Sequence, residues 1–331
     1  MAFFSIKSIL ITGGAGFIGS NLCDYFLDKD YAVVCLDNFS TGYRANINHL
    51  IKHPNFTLIE GDIRDVSTCH KAVENIDFVL HQAALGSVPR SVLDPITTND
   101  VNVTGFLNMI FAAKEAKVKR FVYASSSSVY GDSQNLPKVE DIVGKPLSPY
   151  ATSKVANELY ADVFSKTYGI ETVGLRYFNV FGPRQDPNGA YAAVIPKFTN
   201  LLLKHESPVV NGDGGFSRDF TYIDNVLQII ELAMLTQNTK ALNTVYNVAF
   251  GERSTINELI ESLQKELSTF DKKIANVKTI YVDVRSGDIP HSLASINKAK
   301  ILLGYDPQIS FAAGLSKSVS WYHSNSILKT I

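Results

Sequence analysis

Apolar runs and helix-like stretches alternate along the first half of the chain. Strands are predicted at residues 8–11, 32–36, 56–60, 78–81, 120–124 and 172–176. Apolar residues at helical spacing predict helices at 16–27, 95–117 and 149–168. The strands are almost continuously apolar, as expected when helices cover both faces of a sheet. The pattern therefore predicts an α/β fold with a doubly wound parallel sheet.

The alternation loosens after residue 177. Helices are predicted at residues 192–205, 225–235, 255–267 and 315–322, with short strands near 209–211, 220–222 and 277–282. We interpret residues 1–177 as one domain and residues 178–331 as a smaller C-terminal α/β lobe at the carboxyl edge of the sheet. Ligands of open α/β sheets bind at that edge.

Composition narrows the possible functions. The 331 residues are 45% apolar and 19% charged, with a net charge of -1. The sequence has no stripe of basic residues of the kind that would indicate a nucleic-acid or membrane partner. Neither the three cysteines nor the seven histidines show metal-ligand spacing. We expect no metal site, reduced buried thiols and a cytoplasmic location.

The first strand leads into a glycine-rich segment, Gly13-Gly14-Ala15-Gly16-Phe17-Ile18-Gly19, that opens a helix. Glycines at this point permit a tight turn and a close approach of the backbone to a pyrophosphate. Asp37 ends the second strand, where a carboxylate binds a ribose 2′-hydroxyl and repels a 2′-phosphate. Asp62 follows the third strand and is placed to meet the adenine. We predict a Rossmann-type domain that binds NAD rather than NADP.

Two further motifs indicate proton transfer. Tyr150 and Lys154 are four residues apart on the 149–168 helix and therefore share one face. A nearby ammonium lowers the pKa of a phenol, so Lys154 is expected to make Tyr150 a usable base. A run of four serines, Ser125 to Ser128, ends the fifth strand and suits hydrogen bonding to a sugar hydroxyl.

In this order and context, the motifs resemble the extended short-chain dehydrogenase/reductase family over almost the whole chain. Longer blocks are similar to those of bacterial UDP-N-acetylhexosamine 4-epimerases: residues 81–91, 175–182, 184–196, 211–214, 217–220, 287–288 and 291–293. The resemblance implies an NAD-dependent isomerase that inverts C4 of a UDP-linked sugar through a 4-keto intermediate. It also implies a homodimer formed by a four-helix bundle of the 95–117 and 149–168 helices. Phe106, Met109 and Phe164 appear on faces of these helices that one sheet face would leave uncovered.

The resemblance also implies residue roles. Tyr150 is the base, Lys154 binds the nicotinamide ribose, and Ser126 hydrogen-bonds the sugar near O4. Arg218 and Arg285 clamp the UDP phosphates. The cofactor site comprises Gly13, Gly16, Phe17, Ile18, Gly19, Asp37, Asn38, Asp62, Ile63, Gln82, Ala83, Ala84, Asn102, Tyr150, Lys154 and Tyr177. The substrate site comprises Gly86, Ser87, Ser126, Ser127, Ser128, Tyr150, Asn179, Gln185, Ala193, Val194, Lys197, Val209, Asn211, Arg218, Arg285, Asp288 and Ser292.

Several alternatives remain on this scaffold. The related 4,6-dehydratases carry an Asp-Glu pair where Ser127 and Ser128 follow Ser126 here. Galactose-type 4-epimerases that reject N-acetylated sugars carry a tyrosine where this chain has Ser292. The N-acetylated substrate could also be a uronic acid, since the lining of C6 is not visible in the sequence. A non-catalytic NAD-binding sensor is the alternative from another class, but such proteins usually lose the tyrosine or the lysine.

Overall fold

The computed structural model describes residues 7–188, 192–284 and 289–328. The strands are β1 Ser8–Thr12, β2 Ala32–Asp37, β3 Phe56–Glu60, β4 Phe78–His81, β5 Arg120–Ser126, β6 Glu171–Tyr177, β7 Val180–Phe181, β8 Val209–Asn211, β9 Ser217–Arg218, β10 Thr221–Tyr222, β11 Thr244–Val248, β12 Ser254–Thr255 and β13 Ile280–Val282. The helices are α1 Phe17–Leu27, α2 Val66–Ala72, α3 Val88–Leu93, α4 Pro95–Asn99, α5 Gly105–Glu115, α6 Pro149–Tyr168, α7 Val194–Leu203, α8 Ile223–Leu235, α9 Ile256–Leu267, α10 Asn297–Leu303 and α11 Phe311–Leu328.

Seven strands form one parallel sheet in the order β11-β6-β5-β4-β1-β2-β3. The order reverses at β1, so the carboxyl ends of β1 and β4 flank a crevice of the kind in which doubly wound sheets bind ligands. The predicted fold class is confirmed. The seventh strand, β11, was not predicted, and it extends the sheet beyond residue 177.

The core lies on both faces of this sheet. Ile9 and Ile11 belong to one buried cluster and Leu10 to another, because successive strand residues point to opposite faces. The first cluster continues beyond residue 177 through α7, α8 and α9. These helices therefore share one core with the sheet.

The prediction of one long helix at residues 95–117 is wrong. α4 and α5 are joined by a π-helical segment, Asp100–Thr104, and α5 ends at Glu115. The amide of Asn102, within the π segment, bonds to both backbone groups of Leu85 and to the hydroxyl of Ser153. Lys117 has a φ of 58°, in the left-handed region, so a right-handed helix cannot continue through it. The helices α2 and α3 were not predicted.

A second correction concerns the faces of α5 and α6. Phe106, Met109 and Phe164 are 0%, 0% and 5% exposed, so the expectation that they lie uncovered is wrong. All three join the second core cluster, where Phe106 packs edge-on against Phe121 and Tyr123. They therefore give no argument for a dimer interface.

The remaining strands form two-stranded pairs outside the main sheet: β10 with β7, β12 with β9, and β13 with β8. The described part of the chain has no helix long and apolar enough to cross a membrane. All three cysteines are buried and unpaired.

Candidate active site

The glycine loop after β1 is shaped by close backbone contacts. A Cβ on Gly13 would lie 2.8 Å from the backbone nitrogen of Ala83, and one on Gly19 would lie 2.1 Å from the carbonyl oxygen of Gly13. Gly13 also has a φ of 68°, which disfavours any side chain. These contacts hold the N-terminus of α1 at the edge of the sheet, where its free N–H groups favour an anion.

Asp37 ends β2 and Asp62 follows β3 after one glycine, as predicted. Asp37 accepts N–H bonds from Ala15 at 2.9 Å and Phe39 at 2.7 Å, which closes the glycine loop onto β2. Burial raises the pKa of Asp37, and the two N–H bonds partly offset this. Asp62 is held by Arg64 and by the amide of Asn38 at 2.8 Å. The bond from Arg64 is the main cause that lowers the pKa of Asp62 to about 2.

A cleft opens along this edge of the sheet. All predicted cofactor residues except Asn102 line this cleft: Gly13, Gly16, Phe17, Ile18, Gly19, Asp37, Asn38, Asp62, Ile63, Gln82, Ala83, Ala84, Tyr150, Lys154 and Tyr177. The predicted substrate residue Gly86 lines it as well. Ser125, the first residue of the predicted serine run, also lines the cleft. The other lining residues were not predicted from the sequence: Leu36, Ser40, Thr41, Gly61, Leu85, Val101 and Ala124. Most of these directly precede or follow predicted site residues, and that adjacency was the available signal.

Asn102 has a different place from the one predicted. It is 1% exposed, lies outside the lining of the cleft, and bonds to Leu85 and Ser153. Ser153 in turn donates to the carbonyl of Tyr150 at 2.7 Å. Asn102 therefore fastens the loop after β4 to the first turn of α6.

The start of α6 positions Tyr150 and Lys154. The Ser148 hydroxyl caps this helix by accepting the N–H of Ala151, and Pro149 occupies its first turn. One turn later, the Lys154 ammonium donates to the carbonyl of Ala124 on β5 at 2.9 Å. This bond ties the lysine to the strand that ends in Ser126. The structure therefore brings the predicted catalytic residues together at one strand end.

The electrostatics of this pair correct the sequence analysis. Burial raises the pKa of Tyr150, and a hydrogen bond with Ser126 partly offsets the rise, so the expected lowering by Lys154 does not appear. Burial also lowers the pKa of Lys154 to about 8. The physical reason is that desolvation penalises the charged form of both groups. Near neutral pH the lysine nevertheless stays mainly an ammonium.

Three buried polar atoms of predicted site residues have no hydrogen-bond partner among the described residues: Gln82 Nε2, which belongs to a residue lining the cleft, Ser128 Oγ and Gln185 Oε1. The Gln82 amide is oriented by Tyr177, whose hydroxyl donates to its oxygen at 2.9 Å. Unpaired buried polar groups are costly, and a ligand is one way to satisfy them. Together with the glycine cradle, the free amide of Gln82 shows that the cleft fits a bound dinucleotide.

The predicted substrate residues Asn179, Arg218 and Ser292 lie at or beside the segment 217–219, which carries a buried carboxylate at Asp219. The Ser292 N–H donates to the Ser217 carbonyl at 3.0 Å, and the Arg218 guanidinium donates to the Ser217 and Pro290 carbonyls. Asn179, with a φ of 35°, donates to the Asp219 carbonyl at 3.1 Å. Burial raises the pKa of Asp219 to about 7, against three backbone N–H bonds that lower it.

Most of the other predicted substrate residues lie at helix starts or on a short strand. Ser87 caps α3 with a φ of 120°, and such backbone strain concentrates at functional sites. Ser126 caps the short helix that contains Ser127 and Ser128. The C-terminal set lies on α7 and β8: Ala193 at the start of α7, Val194 and Lys197 in its first turn, and Val209 and Asn211 on β8. Arg285 and Asp288 lie outside the described residues.

The part of the chain that the structure describes holds no cluster of three or more residues able to bind a metal ion.

A family model described as "NAD dependent epimerase/dehydratase family" matches residues 9–249. A putative UDP-glucose 4-epimerase of Methanocaldococcus jannaschii is 37% identical over 96% of this chain and 99% of its own length.

Two solved structures extend the comparison. The UDP-N-acetylglucosamine 4-epimerase of Methanobrevibacter ruminantium, in complex with UDP-N-acetylmuramic acid, is 40% identical with a TM-score of 0.90 over 97% of this chain and 99% of its own. The UDP-glucuronic acid 4-epimerase of Bacillus cereus, with UDP-glucuronic acid and NAD, is 31% identical with a TM-score of 0.86 over 96% and 100%. The shared fold extends through both halves of the chain.

Proposed function

The chain belongs to the NAD-dependent epimerase/dehydratase family, and we propose that it interconverts UDP-GlcNAc and UDP-GalNAc by inverting C4 of the sugar. It is an NAD-dependent nucleotide-sugar 4-epimerase. The observation that carries the reaction type is the arrangement at the end of β5. Tyr150 lies beside Ser126 there, and two serines rather than an acid pair follow. A 31% identical neighbour, the dTDP-glucose 4,6-dehydratase DesIV, shares the fold, so these side chains rather than the fold exclude elimination.

In the proposed mechanism Tyr150 accepts the proton of the sugar O4 and later returns it. Ser126 bonds the same oxygen and orients the sugar, while Lys154 binds the nicotinamide ribose. When bound, NAD supplies the acceptor and donor for the hydrogen at C4. Because the sugar presents its opposite face before that hydrogen returns, the configuration inverts with no net oxidation.

The N-acetylated substrate is supported by two features. The 40% identical neighbour is a UDP-N-acetylglucosamine 4-epimerase. At Ser292, which is half-buried next to Arg218, a small side chain leaves room beside C2. Arg218 and Arg285 would hold the diphosphate, for which a guanidinium offers paired donors. The corresponding uronic acids are the second candidate, since UDP-glucuronate 4-epimerases are 34% and 31% identical.

Steady-state assays of the purified enzyme separate these substrates. We expect kcat/KM for UDP-GlcNAc and UDP-GalNAc to exceed that for their uronic acids and for UDP-glucose and UDP-galactose. A higher value for the uronic acids would make those the substrates, and equal values for UDP-glucose would remove the N-acetyl preference. No interconversion of any pair would contradict the assignment of the reaction.

We also propose that two chains form a homodimer through a four-helix bundle. Two exposed residues support the bundle in place of the buried Phe106, Met109 and Phe164. Ile96 on α4 and Leu159 on α6 are 79% and 63% exposed, and α4 packs against α6. Light scattering is expected to report a dimer, and Ile96→Glu with Leu159→Glu a monomer. Ile301→Glu on α10, also at a residue 79% exposed, is the matched control and should leave the dimer intact. A monomeric parent protein at micromolar concentration would refute the proposal.

A further inference from the structure

The third turn of α6 carries a carboxylate one turn beyond the catalytic lysine. We propose that Glu158, held by Arg176 and Ser125, is a positioning residue that supplies the negative charge facing the Lys154 ammonium, an inference that rests on the proposed function. Glu158 is four residues beyond Lys154, so both side chains lie on the same face of the helix. That face packs against β5 and β6.

The carboxylate is fixed by three hydrogen bonds. One oxygen accepts the Ser125 hydroxyl at 2.5 Å and the Nε of Arg176 at 2.9 Å, and the other accepts Nη2 of Arg176 at 2.8 Å. The side chains of Glu158 and Arg176 are 15% and 5% exposed. A paired guanidinium grip in a buried place fixes both the position and the direction of the carboxylate.

Arg176 is itself held from the other side. Its Nη1 donates to the Tyr130 hydroxyl at 3.1 Å and to the Glu140 carbonyl at 2.8 Å. Tyr130 donates to Asn247 on β11, the strand that closes the sheet. The carboxylate behind Lys154 is therefore anchored through the sheet and cannot turn away without breaking buried bonds.

Few other charges face Lys154. On β4, burial lowers the pKa of His81 to about 3, so this ring is neutral. On β5 and β6, burial raises the pKa of Tyr123 and Tyr177, so both phenols are neutral as well. On α6 itself lie Tyr150, whose pKa burial also raises, and Glu158.

Two opposing effects act on the lysine. Burial lowers the pKa of Lys154 to about 8, and the charge of Glu158 raises it. Arg176 on β6 holds the carboxylate but does not replace its charge. Across the cleft, Asp37 and Asp62 are engaged by the glycine loop and by Arg64. Without Glu158, more of the lysine would be neutral at pH 7, and it would bind a ribose hydroxyl less well.

The experiment uses Glu158→Gln, which keeps the shape of the side chain and removes its charge. Lysine isotopically labelled at Cε reports the protonation of Lys154 by NMR, with the signal assigned by its loss in Lys154→Met. We expect the titration midpoint of Lys154 to fall by roughly one pH unit in Glu158→Gln, about a tenfold change in the ratio of ammonium to amine. The alkaline limb of the kcat/KM profile should shift in the same direction. A purely structural role would scale the profile down without shifting its limb.

Asp162→Asn is the matched control, because Asp162 lies one turn further along α6 in an exposed pair with Lys166. It should leave the midpoint unchanged. If Glu158→Gln does not fold, the double variant Glu158→Gln/Arg176→Met removes both buried charges, and the same fall is expected. Coincident midpoints in the parent and either folded variant would overturn the inference. The titration needs no turnover, so it is independent of a failure of the proposed reaction.

Discussion

The cleft at the edge of the sheet and the proposed substrate side, in the C-terminal half, are built differently. At the edge of the sheet, Asp37 ends β2, Gln82 directly follows β4 and Asp62 lies two residues beyond β3, so the parallel ladder sets their positions. On the substrate side, Arg218 lies on a two-residue strand and Ser292 on a loop. The same protein thus uses regular backbone on one side of its site and irregular backbone on the other.

Buried polar side chains take over where the ladder ends. The Asp219 carboxylate accepts N–H groups from Phe250 at 3.1 Å, Gly251 at 3.3 Å and Ala294 at 3.2 Å. The segment 250–251 and the loop that carries Ala294 are thereby joined at one carboxylate, on a residue that is 0% exposed. The difference between the two regions means that changes in one should alter cofactor binding and changes in the other substrate binding. The following variants test that separation.

The largest effect is expected where the two regions meet, at Tyr150. Tyr150→Phe removes the proton acceptor and leaves the ring, so kcat should fall by ~10²–10⁴-fold, the usual contribution of general base catalysis. Affinities for NAD and UDP-sugar, measured by calorimetry, should stay close to those of the parent enzyme. A variant with more than half of the parent kcat would show that Tyr150 is not the base.

A smaller loss, confined to the cofactor, is expected for Gly19→Ala. The new methyl group would lie 2.1 Å from the Gly13 carbonyl, so the glycine loop must move. Overpacking of this kind costs ~1–3 kcal/mol, and NAD affinity should fall by about tenfold or more. Gly215→Ala, which meets only the flexible Asp213 side chain, is the control. The separation fails if Gly19→Ala weakens UDP binding as much as NAD binding.

The counterpart on the substrate side is Asp219→Asn. An amide has one acceptor oxygen and a donor nitrogen that would face the N–H of Ala294, so at least one buried donor loses its partner. Such a loss costs about 1–3 kcal/mol, and we expect KM for UDP-GlcNAc to rise by about tenfold while NAD content is unchanged. Asp224→Asn, in an exposed pair with Lys317, should change neither. Loss of NAD along with substrate affinity would mean that the two regions are not independent.

The same difference explains what could be predicted from the sequence. Residues at strand ends, such as Asp37 and Asp62, were predicted because local patterns fix where a strand stops. β11 was missed, because its place in the sheet is set by pairing with β6, far back in the sequence. Its Asn247 also bonds to Tyr130 and Lys138, more than a hundred residues away. The π segment around Asn102 was missed as well, because helical spacing does not mark it; in the fold, Asn102 bonds to Leu85 and to Ser153, which lies 51 residues further along the chain. Burial also raises the pKa of Tyr150, and the spacing of residues in the sequence does not show how deeply a side chain is buried.

The smallest effect is expected for Ser292→Tyr, which tests whether the irregular loop selects the substrate. Ser292 is half-buried, and its N–H is bonded to Ser217, so a phenol ring there would fill space on the substrate side of the cleft. Overfilling costs ~1–3 kcal/mol, or roughly tenfold in rate per 1.36 kcal/mol. We expect kcat/KM for UDP-GlcNAc and UDP-GalNAc to fall by about tenfold, while that for UDP-glucose and UDP-galactose is spared or raised. Ser320→Tyr, at an exposed position on α11, should affect neither pair. An equal response of both pairs to Ser292→Tyr would assign the N-acetyl preference to another part of the pocket.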